Sequence, residues 1–182
     1  NKICTAPMQR KEVLAEKEAR KVKLNSKSRR DALIIVIFLY TGVRRCELVN
    51  IEISHIDLEK RRLHVAKGKN RKKRDIPYPR RLVSATKRYL EIGIDDTDSK
   101  YIFPSGEGSL TKGRVSTIVR NMGERAGIQS VMGEGMDGRV YYRVTPHLLR
   151  HTFATWAYNR GMNVHKIMEM MGHEDLDTTW GY

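Results

Sequence analysis

Helical periodicity covers most of the chain, and one segment is apolar on every side. Residues Ala32–Tyr40 are all apolar or aromatic, a pattern typical of a buried helix or a buried strand. The helical pattern continues past Gly42 to Val49, which favours a helix, and Asp31 is its predicted N-cap. Further helices are predicted at Met8–Lys23, Leu82–Leu90, Thr111–Ala126, Thr145–Arg160 and Val164–Met171.

From His55 to Tyr78, the spacing between apolar residues changes from three or four positions to two. Alternation of this kind predicts three short antiparallel strands, marked by Ile56 and Leu58, Leu63 and Val65, and Ile76 and Tyr78. Residues Gln129–Arg139 have three glycines and no period, which predicts a mobile loop. The predicted fold is mainly α with a small antiparallel three-stranded β-sheet (α+β), in one domain spanning residues 1–182.

Charge narrows the function classes. The chain has 35 Lys and Arg against 21 Asp and Glu, a net charge of +14, with 40% hydrophobic residues. This apolar content supports a folded core, and the positive excess predicts a polyanionic partner: nucleic acid first, an anionic membrane surface second. A non-catalytic basic DNA-binding domain would explain the charge as well.

Compartment and processing signals are few. The two cysteines are too few for a disulfide framework and favour a reducing compartment such as the cytoplasm. The apolar run Ala32–Tyr40 is too short to span a bilayer. No predicted helix pairs a basic face with a wide apolar one, so binding to a membrane surface is not expected either. The first residue is Asn1 rather than Met, which leads us to expect a fragment boundary there.

The segment Thr145–His151 has the features of a phosphate site at a helix start. Thr145 can cap the helix, and Pro146 suits its first position. His147 and Arg150 are three residues apart and share one face. The helix N-terminus adds free N–H groups and the positive end of the dipole. Taken alone, the heptapeptide favours a partly buried histidine beside a surface arginine over a phosphate site.

A second candidate follows the buried helix. Arg44 comes just after Gly42, and Glu47 is three residues further on, where its carboxylate can support the guanidinium. A rigid arginine of this kind suits bidentate phosphate binding. A surface ion pair has the same spacing.

The strongest charge run lies in the predicted sheet. Residues 61–81 include ten Lys and Arg against one acid, Asp75. Contact with a phosphate backbone is the commonest specific use of such a run. The predicted DNA contacts are Lys67, Arg71, Lys72, Lys73 and Arg74.

Metal and nucleotide motifs are incomplete. His147 and His151 have the spacing of helical zinc ligands, but Leu148 stands where a His-Glu-x-x-His motif has Glu. Gly68-Lys69 lacks the upstream glycine and the Ser/Thr of a P-loop. No metal and no other cofactor is therefore expected.

Taken together, three blocks resemble the catalytic domain of a tyrosine recombinase of the phage integrase family. Thr41–Leu48 resembles the first arginine box, His147–Thr155 the His-x-x-Arg box, and the stretch from Met171 through His173 to Tyr182 the last box. They come in the family's order across nearly the whole chain.

The resemblance implies a role for each matching residue. Arg44 and Arg150 would clamp the scissile phosphate, His147 and His173 would complete the pocket, and Tyr182 would be the nucleophile. The family also has a hairpin lysine that acts as general acid. Lys69 is the predicted equivalent, and Lys67 is the alternative on the other side of Gly68.

The resemblance also implies the partners and the reaction. It implies cleavage and rejoining of double-stranded DNA through a 3′-phosphotyrosine, in a homo-tetramer on paired sites. Compared with the family, the N-terminal core-binding domain and the C-terminal tail beyond Tyr182 are expected to be absent from this sequence. A type IB topoisomerase, which uses the same chemistry to relax supercoils, is the nearest alternative.

Overall fold

The computed structural model describes residues 12–65, 73–91, 99–106 and 108–172. Its helices are α1 (Glu16–Leu24), α2 (Arg29–Thr41), α3 (Arg45–Leu48), α4 (Arg80–Leu90), α5 (Lys112–Arg125), α6 (Pro146–Asn159) and α7 (Val164–Met171), with a 3₁₀ turn at Ile53–His55. Its strands are β1 (Ile56–Asp57), β2 (Arg62–Val65), β3 (Arg74–Pro77), β4 (Pro104–Ser105), β5 (Gly108–Ser109), β6 (Val131–Glu134) and β7 (Val140–Tyr142). None of the described helices has the length and apolar content needed to cross a bilayer.

Helix α2 is the centre of the core, as its all-apolar sequence predicts. Leu33 through Phe38 are all buried, and the helix packs against α1, α4, α5 and α6. Burial on every side fits a helix surrounded by other helices. The choice of helix over strand is confirmed.

The predicted three-stranded sheet is also confirmed. Strands β1, β2 and β3 are antiparallel in that order, with Leu63 opposite Ile76 and Val65 opposite Arg74. Leu63, Val65 and Ile76 are buried on one face. Strand β3 also contacts α7, so the sheet reaches the last described helix.

The first helix begins later than predicted. The described residues before Glu16 are not helical, because Leu14 is buried against α6 and its N–H donates to Thr152 Oγ1 at 3.0 Å. Glu18 then accepts the N–H of Ala15 at 2.9 Å and opens the helix. The prediction of helix from Met8 is wrong for residues 12–15.

The start of α2 also differs from the prediction. Ser28, not Asp31, is the N-cap, and its hydroxyl accepts the N–H of Asp31 at 3.1 Å. At the other end the helix stops at Gly42, which is left-handed with φ of 62°. A Cβ there would lie 2.3 Å from Cδ1 of Phe153. This break separates α2 from α3 and places Arg44 at the start of the second helix.

The segment predicted as a mobile loop contains a hairpin. Strands β6 and β7 pair antiparallel with an irregularity between Val131 and Gly133. Both strands are largely exposed, so burial produces no alternating pattern. The Gln129 side chain fixes the base of the hairpin, because it accepts the N–H of Val144 at 2.7 Å and donates to the Val144 carbonyl at 3.2 Å.

Candidate active site

The N-terminus of α6 is built as its sequence predicts. Thr145 caps it by accepting the N–H of Leu148 at 3.2 Å, and Pro146 occupies the first turn. His147 is exposed there, whereas Arg150, one turn later, is only 4% exposed. The two residues thus occupy one helix at different depths.

Arg150 ties together two segments far apart in the sequence. Its Nη1 donates to the carbonyl of Gly42, just after α2, and its Nη2 donates to the carbonyl of Met171 at 2.7 Å. The guanidinium therefore fills the space between the end of α2 and the end of α7.

Arg44 reaches the same place from α3. Its Nη2 donates to the carbonyl of Gly172 at 2.6 Å, one residue beyond the Arg150 contact. Glu47 accepts the backbone N–H of Arg44 at 2.7 Å and lies 3.3 Å from Nη1. The predicted support of Arg44 by Glu47 is thus present in the structure.

Arg74 corrects the sequence prediction. Its side chain is only 7% exposed, and it donates from Nη1 and Nη2 to the two carboxylate oxygens of Glu47 at 3.0 and 2.8 Å. Its Nε donates to the carbonyl of Met170 at 2.8 Å. The charge of Arg74 is thus paired bidentately with a buried carboxylate, so a contact between Arg74 and DNA is not supported.

Alternation in β3 could have revealed this inward orientation. Arg74 is two residues before Ile76, which is fully buried, and side chains two apart point to the same face of a strand. The run of positive charge around Arg74 instead predicts a surface position for it. Lys73, the preceding residue, is exposed, as a predicted DNA contact should be.

Three successive carbonyls at the end of α7 are each bound by a different arginine. Met170 accepts from Arg74, Met171 from Arg150 and Gly172 from Arg44. These carbonyls belong to the negative end of the helix dipole, where cations are favoured. We call them the α7 carbonyls.

The residues Arg44, Glu47, Arg74 and Arg150 form what we call the arginine cluster. Three guanidinium charges and one carboxylate leave it with a charge of +2 if all four are ionised. Positive charge in a partly desolvated place favours an anion, and guanidinium donors match the oxygens of phosphate. The arrangement is suited to bind a phosphate group.

Glu47 is held in its charged form by this cluster. Burial alone would raise its pKa, but hydrogen bonds and charge from Arg74, then from Arg44, outweigh burial and lower the pKa below its ordinary value of 4.5. The carboxylate is therefore ionised at neutral pH.

His147 contacts a second histidine. The Nε2 atoms of His147 and His151 are hydrogen-bonded, and the two rings meet edge to face with centroids 4.0 Å apart. One ring must donate and the other accept, so this bond fixes how the proton is placed between them. Within the described ranges, no group of three or more His, Cys, Asp or Glu is arranged to hold a metal ion.

Several predicted site residues lie outside the described residues: Lys67, Lys69, Arg71, Lys72, His173 and Tyr182. Among those described, the structure brings Arg44, Glu47 and Arg150 together at the α7 carbonyls. His147 lies one turn before Arg150 on α6. The described part of the predicted site thus converges on the point where the chain leaves α7 toward His173 and Tyr182.

Comparison with known proteins gives consistent matches along the chain. The model of the phage integrase family matches residues 8–182. The tyrosine recombinase XerA of Pyrococcus furiosus is 37% identical over 175 residues, which cover 93% of this chain and 56% of that protein. This chain therefore spans about half the length of the curated relatives it matches.

Solved structures show the same fold. A crystal structure of XerA recombinase matches with a TM-score of 0.82 and 33% identity, over 94% of this chain and 59% of that one. XerH site-specific recombinase bound to its difH substrate, in a pre-cleavage complex, matches with a TM-score of 0.74 and 24% identity, over 93% of this chain and 49% of that one. By its sequence boxes, its fold and these matches, the chain belongs to the phage integrase family, the family of the tyrosine recombinases.

Proposed function

We propose that this chain is the catalytic part of a site-specific DNA recombinase that breaks and rejoins DNA strands by transesterification. The observation that carries the proposal is the convergence of Arg44 and Arg150 on neighbouring carbonyls at the end of α7. Nine residues beyond His173, the sequence places Tyr182. The likeness to XerA, and to XerH in complex with a DNA substrate, supports the same reading.

In the proposed first step, the Tyr182 hydroxyl oxygen forms a bond to phosphorus and the bond from phosphorus to the 5′-oxygen breaks. The products are a 3′-phosphotyrosine and a free 5′-hydroxyl. A 5′-hydroxyl from a partner strand then attacks the phosphotyrosine and releases Tyr182. One phosphodiester bond is exchanged for another at each step, so no ATP is required.

The arginine cluster supplies charge where the reaction needs it. Negative charge grows on the non-bridging oxygens as phosphorus becomes five-coordinate, and one fixed donor at such a place is worth about 3–4 kcal/mol. Arg44 and Arg150 would exchange contacts with the α7 carbonyls for contacts with these oxygens, and His173 would hydrogen-bond the phosphate.

Proton transfer falls to other groups. A tyrosine hydroxyl has an ordinary pKa of about 10, so its proton must leave as it attacks, and exposed His147 is the proposed acceptor. Its bond with His151 would hold the ring in place. Lys69, or Lys67 in its place, would protonate the leaving 5′-oxygen, and such general acid catalysis contributes about 10²–10⁴-fold.

Outside the pocket, Lys67, Arg71, Lys72 and Lys73 are the proposed contacts to the DNA backbone. Contacts of this kind strengthen binding without reading sequence and make it sensitive to salt. In the full-length protein we propose a tetramer on two paired sites, acting on DNA in the cytoplasm.

A nicked suicide substrate tests the proposal, because it traps the covalent intermediate. The wild-type chain should give a protein–DNA adduct resistant to denaturant, and Tyr182→Phe should bind the DNA with similar affinity and give none. The adduct should form in EDTA as well. An adduct that persists in Tyr182→Phe, or a wild-type chain that binds without forming one, contradicts the proposal.

The likeness to XerA favours a recombinase over a type IB topoisomerase, which would use the same chemistry. Relaxation of a supercoiled plasmid without exchange between two marked sites would identify that activity.

A further inference from the structure

Arg74 stands apart from the other guanidinium groups of the arginine cluster. It comes from the sheet rather than from a helix. Arg74 and Arg150 are both buried, but the guanidinium of Arg74 forms a bidentate pair with a carboxylate. Every side-chain nitrogen of Arg74 donates to a protein oxygen, two to Glu47 and one to Met170. This residue is positioned to act on its neighbours rather than on DNA.

Among the contacts between described residues, two arginines share the Glu47 carboxylate unequally. Arg74 forms a bidentate pair with it at 2.8 and 3.0 Å, whereas the Arg44 guanidinium makes one longer contact at 3.3 Å. Bidentate pairs of Arg with carboxylate are the stronger and more directional kind. The negative charge of Glu47 is therefore mostly offset by Arg74, and the positive charge of Arg44 is only weakly offset.

We infer that Arg74 is a positioning residue. By pairing with the Glu47 carboxylate, it leaves the Arg44 guanidinium available to bind a phosphate, and through its hydrogen bond to the Met170 carbonyl it fixes the end of α7. This role rests on the function proposed above, because it concerns the same phosphate pocket. It replaces the direct DNA contact that the sequence predicted for Arg74.

The expected effect of removing Arg74 follows from the burial of Glu47. Glu47 has a side chain only 9% exposed, and a carboxylate so buried must find a partner. The neighbouring partner is Arg44, already 3.3 Å away. In Arg74→Gln, Glu47 should therefore turn to Arg44 and compete with phosphate for its guanidinium. The charge of the cluster would fall from +2 to +1.

This competition yields a double-variant test. In Arg74→Gln the rate of adduct formation at saturating DNA should fall by at least about 10-fold, because complete loss of one transition-state donor costs about 10²–10³-fold and competition from Glu47 weakens the Arg44 donor without removing it. Adding Glu47→Gln removes the competing carboxylate, so the double variant should cleave faster than Arg74→Gln alone. Arg74→Lys keeps the charge without the bidentate geometry and should lie between the wild type and Arg74→Gln.

Arg62→Gln is the matched control. Arg62 lies on β2 in the same sheet and pairs with Asp75 at 3.8 Å, but its side chain is 59% exposed. The same chemical change there should leave the saturated rate near that of the wild type. Thermal melting of each variant reports whether it is folded, and the double variant, which leaves neither charge buried alone, covers the case in which Arg74→Gln unfolds.

Two results would overturn the inference. If Arg74→Gln reduces the salt slope of DNA binding by about one and leaves the saturated rate unchanged, Arg74 is a phosphate contact. If the double variant cleaves no faster than Arg74→Gln, Arg74 serves packing alone.

A measurement of phosphate binding, which does not require DNA cleavage, tests the role of Arg74 independently of the proposed function. Inorganic phosphate is titrated into the chain, and the arginine Nε–H signals are followed by NMR, with Arg44→Gln to assign the site. Affinity should be highest for the wild type, intermediate for the double variant and lowest for Arg74→Gln. This order supports the inference even if no adduct forms, and an Arg74→Gln affinity equal to that of the wild type refutes it.

Discussion

Gly42 ends a core helix and also contacts an arginine of the candidate active site. Its replacement by alanine gives a quantitative test of how packing at this residue affects stability and the site. The residue ends α2 with φ of 62°, and its carbonyl accepts a hydrogen bond from Arg150. A Cβ added there would lie 2.3 Å from Cδ1 and 2.7 Å from Cε1 of the Phe153 ring. Gly42→Ala therefore meets two separate costs, one in the backbone and one in the packing.

The magnitude follows from those two costs. A left-handed conformation costs a non-glycine residue about 1–2 kcal/mol. Forcing a methyl group into a packed core typically costs about 1–3 kcal/mol more. Gly42→Ala should thus lower the free energy of unfolding by about 2–5 kcal/mol, and each kcal/mol lowers the melting temperature by about 2–4 °C in a domain of this size.

Alanine substitutions at two other glycines measure the backbone cost and the packing cost separately. Gly161 has φ of 80° and nothing within 4 Å of an added Cβ, so Gly161→Ala carries the backbone cost alone. Gly123 lies inside α5, where an added Cβ would meet Val144 Cβ at 2.8 Å, so Gly123→Ala carries a packing cost. The helix propensity of alanine offsets that cost by about 1 kcal/mol.

Urea unfolding of the three variants measures their free energies of unfolding. The rate of adduct formation on the nicked substrate reports whether the candidate active site is intact. Gly42→Ala should be the least stable and should cleave more slowly, because a shifted Gly42 carbonyl displaces Arg150. If Gly42→Ala is no less stable than Gly161→Ala, the Phe153 ring yields without cost and the packing reasoning is refuted.

Two predictions concern pH. The pKa of Glu18, lowered mainly by its hydrogen bond with Arg143, and that of Glu47 both lie below 4.5; their contribution to stability is complete above that pH and should be lost as pH falls through the lowered values. Glu47→Gln should flatten this acid limb in urea unfolding, and an unchanged limb would contradict the assignment. Burial raises the pKa of Tyr78 to about 12 against the effect of its hydrogen bond with Thr86. The stability that depends on protonated Tyr78 should then fall by about 2 kcal/mol between pH 10 and pH 12. Tyr78→Phe should abolish that fall, and an ultraviolet titration showing every tyrosine ionised near pH 10 would refute it.

The parts of the fold that sequence reasoning predicts are those with strong local signals. An unbroken apolar run predicts helix α2. Alternation of apolar and polar residues around Leu63 and Ile76 predicts the sheet. The cap of α6 follows from the local chemistry of Thr145 and Pro146. In each case, neighbours in sequence determine the structure.

The parts that it mispredicts depend on contacts distant in sequence. The start of α1 is delayed because Leu14 is held by Thr152 on another helix. The lack of space for a side chain at Gly42 is due to Phe153, which belongs to α6. The hairpin β6–β7 has no buried face and hence no hydrophobic signature. None of these partners is visible from the local pattern.

The site residues divide in the same way. The identities of Arg44 and Arg150 follow from short motifs, but their convergence on the α7 carbonyls is a tertiary fact. Arg74 shows the opposite case, since a charge run suggested a surface role for a residue that the strand period turns inward. The competition for Glu47 could be read only from the structure.

The binding of the α7 carbonyls also bears on the order of folding. The contacts of Arg74 and Arg44 with the α7 carbonyls bridge 96 and 128 residues of sequence, and the contact of Arg150 with the Gly42 carbonyl bridges 108. Contacts of such separation form only after long loops have closed, which delays them relative to local helices. During synthesis at about 5–20 residues per second, the arginines emerge seconds before α7 does. A nascent chain therefore carries the basic run of residues 61–81 before the proposed phosphate pocket can form.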